Sequence, residues 1–237
     1  MKKRLSFTAL ELVLVCAVAA ILLSISLPAF YNISAGRRVT GAMSTIAANI
    51  SLARARAVSD NIYTALIFPS TADSLGSGCN SKLANTSLRL AEVRKKTSGS
   101  SVSFIFVRWL DGSSWEGIGD GVVIPPDGSA KNFREGDSSS PTYSVSNVDF
   151  SDQGGSSSVS VSRTIIFSPR GQILTASATT VMVIRAAEGA KVPGSDTFTL
   201  KKTGEKDGSD DTAMYAVLTV NPLSGRTEVS YETAKIN

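Results

Sequence analysis

The sequence predicts an α+β fold in which a long N-terminal α-helix packs on a β-rich globular domain. Three observations lead to this prediction. The stretch from Leu12 to Gly36 carries no charged residue. The segment after it repeats apolar residues at the spacing of an amphipathic helix. From residue 61 onward, short apolar runs alternate with turns rich in Ser, Gly, Asp and Pro, which is typical of β-strands.

The first element is predicted to be a transmembrane helix preceded by a short basic leader. The leader contains Lys2, Lys3 and Arg4. At ~1.5 Å rise per residue, the uncharged stretch is longer as a helix than the ~30 Å hydrocarbon core of a bilayer. Because basic residues tend to stay on the cytoplasmic side, we expect a single crossing within residues 7–36 and a cytoplasmic N-terminus.

Glu11 is an acidic residue near the start of this apolar stretch. A charge buried deep in a bilayer costs about 2.5–3.5 kcal/mol on insertion scales. Either Glu11 is shallow enough to reach the headgroups, or it pairs with a cation inside the membrane or inside an assembly. A newly exposed amino terminus at Phe7 of a neighbouring subunit would provide that cation. The residues alone leave both interpretations open.

The second half of the helix is predicted to be amphipathic over residues 37–60. Pro28 lacks an amide hydrogen and clashes with the carbonyl group of Ser24, so a helix kink is expected there. Arg54 and Arg56 fall beside the apolar stripe and are expected to be solvated or to cap backbone carbonyls. The stripe itself, expected to pack on the globular domain, comprises Val39, Met43, Ile46, Ile50, Ala53 and Ala57.

The β-rich domain is predicted over residues 61–237. Two strand–turn–strand units, Ile165–Thr175 and Leu218–Val229, each place Pro and then Gly between apolar runs, which predicts tight hairpins. Residues 69–87, 125–140 and 151–162 are predicted to be loops. The predicted strands are Tyr63–Phe68, Leu88–Val93, Val102–Leu110, Gly121–Ile124, Tyr143–Phe150, Thr164–Ser168, Ile173–Thr175, Val181–Arg185, Met214–Val220 and Thr227–Tyr231.

The N-terminal pattern Phe7-Thr8-x-x-Glu11-Leu12, followed by apolar residues and Pro28, resembles the class III signal of type IV pilins and pseudopilins. Counted from Phe7, Glu11 is the fifth residue and Pro28 the twenty-second, as in that family. The resemblance implies that a prepilin peptidase removes residues 1–6 by cleaving after Ser6, where the family prefers glycine. It also implies N-methylation of Phe7 and charge pairing of Glu11 with the Phe7 amine of a neighbouring subunit.

The rest of the chain resembles the GspH/FimT-like branch of minor pseudopilins and minor pilins. The features are the helix end around Arg54 and Arg56, the Pro-x-Gly turn at Pro169, and the final Gly225-Arg226 turn. The order of four segments is also similar to Verru_Chthon cassette protein D-type pseudopilins: Asn49–Phe68, Gly121–Pro126, the turn at Phe167 and the closing strand at Gly225-Arg226. This implies a pilin-like fold and a structural subunit of a type II secretion pseudopilus or a type IV pilus-like filament.

The same resemblance implies the partners and the location. The partners would be other pilin or pseudopilin subunits, the prepilin peptidase and an inner-membrane assembly platform. The chain would be a single-pass inner-membrane protein with a periplasmic C-terminal domain until processing places it in the filament. The alternative function is a minor pilin of a competence filament that binds DNA.

The composition argues against an enzyme. The chain has no histidine, and its two cysteines, Cys16 and Cys79, are far apart in sequence. A histidine-based triad and a zinc site of histidine or cysteine ligands are therefore excluded. The leader supplies three of the 24 basic residues, and the remainder nearly balance the 20 acidic ones. Binding of nucleic acid by a broad basic surface is therefore not expected.

Three weaker candidate sites remain in the domain. Lys95, Lys96 and Arg226 are basic residues that could contact DNA or another partner. A turn containing Asp207, Asp210 and Asp211 could bind calcium, although its spacing favours a solvated loop and no cofactor is expected. Trp109 and Trp115 flank a turn and could contact a partner or a sugar, or simply pack against each other.

Overall fold

The computed structural model describes residues 9–76, 79, 82–99, 101–125, 143–175, 182–192, 198–208 and 210–235. The described residues form one long α-helix, α1 (Ala9–Ser59), and the strands of two sheets. The strands are β1 (Tyr63–Ile67), β2 (Ser87–Ser98), β3 (Ser101–Trp109), β4 (Glu116–Gly117), β5 (Val122–Val123), β6 (Val145–Val148), β7 (Val159–Val161), β8 (Thr164–Phe167), β9 (Ile173–Leu174), β10 (Met182–Lys191), β11 (Phe198–Leu200), β12 (Lys202–Asp207), β13 (Asp210–Val220) and β14 (Thr227–Lys235).

The chain divides into two units, Met1–Arg37 and Arg38–Asn237. In the second unit, α1 buries one face at positions spaced three and four residues apart, because side chains at that spacing lie on one side of a helix. The predicted apolar stripe is confirmed. Its buried members are Val39, Met43, Ile46, Ile50, Ala53 and Ala57, joined by Ala42.

The helix ends in a left-handed cap. Asn61 has a φ of +54°, and the Ile62 amide donates to the Ala57 carbonyl at 3.2 Å. This six-to-one hydrogen bond around a left-handed residue is a Schellman motif, which satisfies a terminal carbonyl group of the helix. Ile62 also packs against the cluster that contains Ala57. The chain therefore turns directly from α1 into β1.

The larger sheet has eight strands in the order β7-β6-β3-β2-β1-β8-β9, with β4 added to β2. All its pairs are antiparallel except β3 with β6. Along β1, Leu66 belongs to the cluster around α1, whereas Ala65 and Ile67 belong to a second cluster. The sheet is therefore buried on both faces, which explains the nearly continuous apolar sequence of β1.

The smaller sheet has six strands, with β10 and β13 at its centre. Ile184 on β10 and Leu218 on β13 are Cα partners, and both are fully buried in the cluster around α1. This cluster therefore contains residues of α1 and of both sheets. Burial of this shared apolar surface is the main force that holds the second unit together.

Both predicted hairpins are confirmed. Strands β8 and β9 pair around a turn in which Gly171 has a φ of +74°. Strands β13 and β14 pair around a turn in which Gly225 has a φ of +67°. The Ile173 amide also donates to the Pro222 carbonyl at 3.1 Å, so the two turns are hydrogen-bonded to each other.

The predicted α+β class, with a long helix packed on the β domain, is wrong. Strand accounts for 43% of the structure and helix for 27%, so the protein is mostly β-sheet. The boundary between the two units lies inside α1, between Arg37 and Arg38. The described side chains from Ala9 to Ser24 are all exposed, whereas the part of α1 that belongs to the second unit buries one face there.

The predictions of a transmembrane segment and of a single-pass inner-membrane location are also wrong. Among the described residues, no helix combines the length and the apolarity that a membrane crossing requires.

Several strands differ from the prediction. Residues 151–162 were predicted to be a loop but contain β7. Strands β11 and β12 were not predicted, and in β12 the segment Lys202–Asp207 has no apolar residue that could reveal a period of two. Pairing with β13 makes β12 a strand, with a register shift between Lys202 and Lys206. Most of the predicted loop at 125–140 lies outside the described residues.

Candidate assembly surface

The described residues Ala9–Ser24 of α1 form an exposed apolar helical surface, here called the N-terminal helix surface. Its large side chains are all at least 51% exposed. Consecutive residues of a helix are rotated by about 100°, so the run Leu12–Val15 places apolar groups on every side. The exposed large residues are Leu10, Leu12, Val13, Leu14, Val15, Val18, Ile21, Leu22 and Leu23. A helix that is apolar all round is normally covered by other apolar groups.

Glu11 is the only formally charged residue of the N-terminal helix surface. It lies in the first turn of α1 and is exposed. A carboxylate in the first turn interacts favourably with the positive end of the helix dipole. Ser24, at the other end of the surface, donates its hydroxyl to the Ile21 carbonyl at 2.7 Å. The surface therefore combines one acidic group with an otherwise apolar exterior.

The two cysteines lie in opposite environments. Cys16 is exposed on the N-terminal helix surface, whereas Cys79 is fully buried. Burial, together with the nearby charge of Asp152, raises the pKa of the Cys79 thiol to about 11. Because the thiolate is the reactive form, Cys79 is protected both by burial and by its low thiolate fraction.

We therefore expect two well-separated rates when the native chain in mild detergent reacts with a thiol reagent such as Ellman's reagent. Cys16 should react promptly, and Cys79 roughly a hundredfold more slowly until the protein unfolds. Stopped-flow absorbance measures both phases. The Cys16→Ser variant is the control and should lose the fast phase only. If both thiols of the native protein reacted at the same fast rate, the burial of Cys79 would be contradicted.

Arg54 of α1 connects the helix to both hairpin turns. Its Nη1 atom donates to the Ser224 carbonyl. A Cβ atom added at Gly171 would lie 3.2 Å from the Arg54 Nε, and one at Gly225 would lie 3.0 Å from its Nη1. Both glycines also have positive φ angles. A side chain at either position would therefore be unfavourable for two reasons, the backbone conformation and the close approach of Arg54. Arg54 thus binds a carbonyl group. Arg56 is exposed, and its nearest contact with the Asp60 carboxylate is a long one of 3.9 Å.

The predicted N-terminal processing residues cannot be placed. Ser6 and Phe7 lie outside the described residues. Pro28 lies within the bounds of α1, but its side chain is outside the described set, so the kink stays a prediction. Of the N-terminal site residues, Glu11 is the one that the structure places.

The predicted basic contacts lie on different sheets. Lys95 and Lys96 are exposed on β2 of the eight-stranded sheet, and Arg226 is exposed just before β14 of the six-stranded sheet. The Arg226 carbonyl accepts a hydrogen bond from the Asn221 amide at 2.9 Å, which closes the Gly225 turn. The DNA contact predicted from these residues would therefore need two separate parts of the domain.

The predicted calcium ligands lie at the β12–β13 turn, where Asp207 and Asp210 are Cα partners. The side chains of these two residues are outside the described set. Asp211 forms an ion pair with Lys202. Within the part of the chain that the structure describes, no three metal-binding side chains of the histidine, cysteine or carboxylate type come together.

Trp109 and Trp115 pack against each other in the second core cluster. Their ring centroids are 5.0 Å apart in an edge-to-face arrangement, and Trp115 also stacks on Phe150 at 5.5 Å. The Trp109 Nε1 donates to the Asp149 carbonyl at 3.1 Å, and the Arg89 guanidinium lies 4.6 Å from the Trp109 ring centroid. This geometry favours the packing interpretation over an open sugar-binding platform.

Sequence reasoning missed a buried polar cluster around Arg163. This side chain is only 2% exposed. Its two terminal nitrogens donate to the Asn85 side-chain oxygen at 2.8 Å and to the Pro125 carbonyl at 2.9 Å. Asp73 lies close enough for the charge of Arg163 to oppose the rise in its pKa that burial causes. No local pattern reveals the cluster, because its members come from distant parts of the chain.

Sequence reasoning also missed the contacts that fasten α1 to the six-stranded sheet. The Arg38 guanidinium contacts Glu188 at 2.8 Å, and the same carboxylate contacts Lys201 at 2.9 Å. The hydroxyl groups of Thr40 and Tyr231 are 2.8 Å apart. These contacts lie at the start of the packed part of α1 and position it on the sheet.

Comparison with known proteins identifies no relative: no protein-family model, no curated protein and no solved structure matches the chain.

Proposed function

We propose that this protein is a structural subunit of a pilin-like filament, of the minor pseudopilin or minor pilin type. In this proposal a prepilin peptidase cleaves after Ser6, and Phe7 becomes the methylated amino terminus. The N-terminal helix surface then packs against the same surface of neighbouring subunits. The β-rich unit is carried on the outside of the helical bundle and has no catalytic role.

The observation that carries the proposal is the all-round exposure of an apolar helix that belongs to a separate unit. Nine large apolar side chains between Leu10 and Leu23 are uncovered, and each contributes about 1.5–3 kcal/mol when it is fully buried. Packing of equivalent helices would bury these side chains on all sides at once. A filament gives every subunit several such neighbours, whereas a simple dimer would cover only one side of the helix.

Glu11 supports the proposal because it is the charged residue of the segment Ala9–Ser24, and helix packing would bury its charge at a cost. A carboxylate removed from water needs a partner of opposite charge. The α-amino group of Phe7 on a neighbouring subunit would be that partner, and cleavage after Ser6 would create it. The pairing would align adjacent helices along their length, since a shift would leave both charges buried and unpaired.

Determination of the mature amino terminus tests the proposal. We expect the chain, coexpressed with a prepilin peptidase, to lose residues 1–6 and to begin at Phe7 with one added methyl group. Intact-mass and N-terminal peptide mass spectrometry measure both changes. The same chain expressed without the peptidase is the control and should keep Met1. A chain that keeps Met1 in the presence of an active peptidase would contradict the proposal.

A further inference from the structure

The β2–β3 hairpin carries three basic side chains on an exposed tip. We define the basic hairpin as residues 94–98 of β2 with residues 101–105 of β3. On the β2 side every residue from Arg94 to Ser98 is exposed. On the β3 side Ser101 and Ser103 are exposed, Val102 and Ile105 are partly buried, and only Phe104 is buried. At ~3.4 Å per residue, each strand of the tip is roughly 17 Å long.

The positive charges of the basic hairpin are not neutralised within the described part of the chain. Arg94, Lys95 and Lys96 form none of the ion pairs found there. The nearest acidic residue along β2, Glu92, is already bound to Arg108 at 2.8 Å. Three adjacent positive charges therefore face solvent, which is unusual for a domain whose basic and acidic residues nearly balance.

The strand register places these charges on both sides of the hairpin. Arg94 and Lys96 point to one side because they are two residues apart, and Lys95 points to the other. Their Cα partners are Ile105, Ser103 and Phe104, respectively. The partly buried Ile105 therefore lies beside Arg94, whereas Val102 is the partner of Thr97 and packs against the second core cluster. Hydroxyl groups of Thr97, Ser98, Ser101 and Ser103 complete the tip.

We propose that the basic hairpin docks on an anionic phospholipid surface. Its cations and hydroxyl groups would contact headgroup phosphates, and the partly exposed Ile105 would lie toward the boundary with the acyl chains. A nucleic acid is the less suitable partner, because the hairpin offers only three cations and no exposed aromatic ring for base stacking. Docking would use residues other than those of the N-terminal helix surface and would not require filament assembly.

Vesicle flotation of the full-length chain tests the proposal. Each basic residue near an anionic surface strengthens binding about fivefold, so three should give roughly a hundredfold preference for vesicles containing phosphatidylglycerol over pure phosphatidylcholine. The variant Arg94→Gln/Lys95→Gln/Lys96→Gln should lose this preference. Its binding to pure phosphatidylcholine should stay unchanged, because that surface carries no net charge for the three cations to contact. Added salt should weaken the anionic component only.

The matched control neutralises three exposed basic residues elsewhere, in the variant Lys82→Gln/Arg170→Gln/Arg226→Gln. It should keep most of the preference for anionic vesicles. A hairpin variant that keeps the full preference would overturn the proposal. So would a hairpin variant that binds vesicles normally but loses affinity for a duplex DNA probe, because the hairpin would then be a nucleic-acid site. Circular dichroism verifies that each variant is folded.

Discussion

The Glu11→Ala variant is expected to assemble at least tenfold less efficiently than the parent chain, with no loss of folding. Under the proposed function, assembly buries the N-terminal helix surface and brings Glu11 to the amino group of a neighbouring Phe7. Removing one member of a buried ion pair leaves the other charge unpaired, at a cost of about 3–5 kcal/mol per contact. The pelleted fraction after high-speed centrifugation of peptidase-processed protein measures assembly.

The matched control is Glu228→Ala, which removes another exposed carboxylate from the same chain. It should assemble normally. Both variants should unfold at the same temperature as the parent, because Glu11 lies outside the β-rich unit and Glu228 is on the surface. Normal assembly of Glu11→Ala would exclude charge pairing. If Leu14→Ser also assembled normally, the N-terminal helix surface could not be the contact between subunits.

The Arg163→Met variant is expected to destabilise the β-rich unit by about 3–5 kcal/mol at neutral pH. Methionine fills part of the same volume but provides no hydrogen-bond donor. The Asn85 oxygen and the Pro125 carbonyl would lose their donors, and the buried Asp73 would lose a neighbouring positive charge. Urea unfolding followed by circular dichroism measures the loss. A domain of this size should also melt roughly 10 °C lower.

The loss should be smaller in acid than at neutral pH. In the folded protein the pKa of Asp73 is raised, mainly because burial disfavours its charged form. Its protonated form therefore favours folding below the ordinary pKa, and this contribution is lost as the pH rises through the folded-state pKa. Without Arg163 the folded-state pKa rises further. Wild type and variant should thus differ least at a pH below the ordinary aspartate pKa of about 3.9, where Asp73 is protonated in both.

The matched control for this prediction is Arg94→Met, which makes the same replacement on the exposed tip of the basic hairpin. It should change the free energy of unfolding by less than about 0.5 kcal/mol. A loss below about 1 kcal/mol for Arg163→Met would show that the buried cluster does not stabilise the domain. A loss that is equal at both pH values would exclude Asp73 as a partner of Arg163.

Local patterns were enough to predict those elements whose burial follows from neighbouring residues. The stripe from Val39 to Ala57 repeats at the helical period, so its buried face could be predicted without knowledge of its partners. Strand β1 and the turns at Gly171 and Gly225 were equally predictable, since apolar runs and the Pro-Gly order act within a few residues.

Tertiary structure decided the proportions of strand and helix and the partners of the polar side chains. The α+β class was wrong because helical length does not say how much of a helix packs, and because polar strands such as β12 become strands only by pairing with β13. Arg163 and Asn85 are 78 residues apart, and Arg54 reaches a carbonyl 170 residues away. Apolar periodicity reports which side of an element is buried. The partner of a buried charge depends on distances in space, which the order of residues along the chain does not contain.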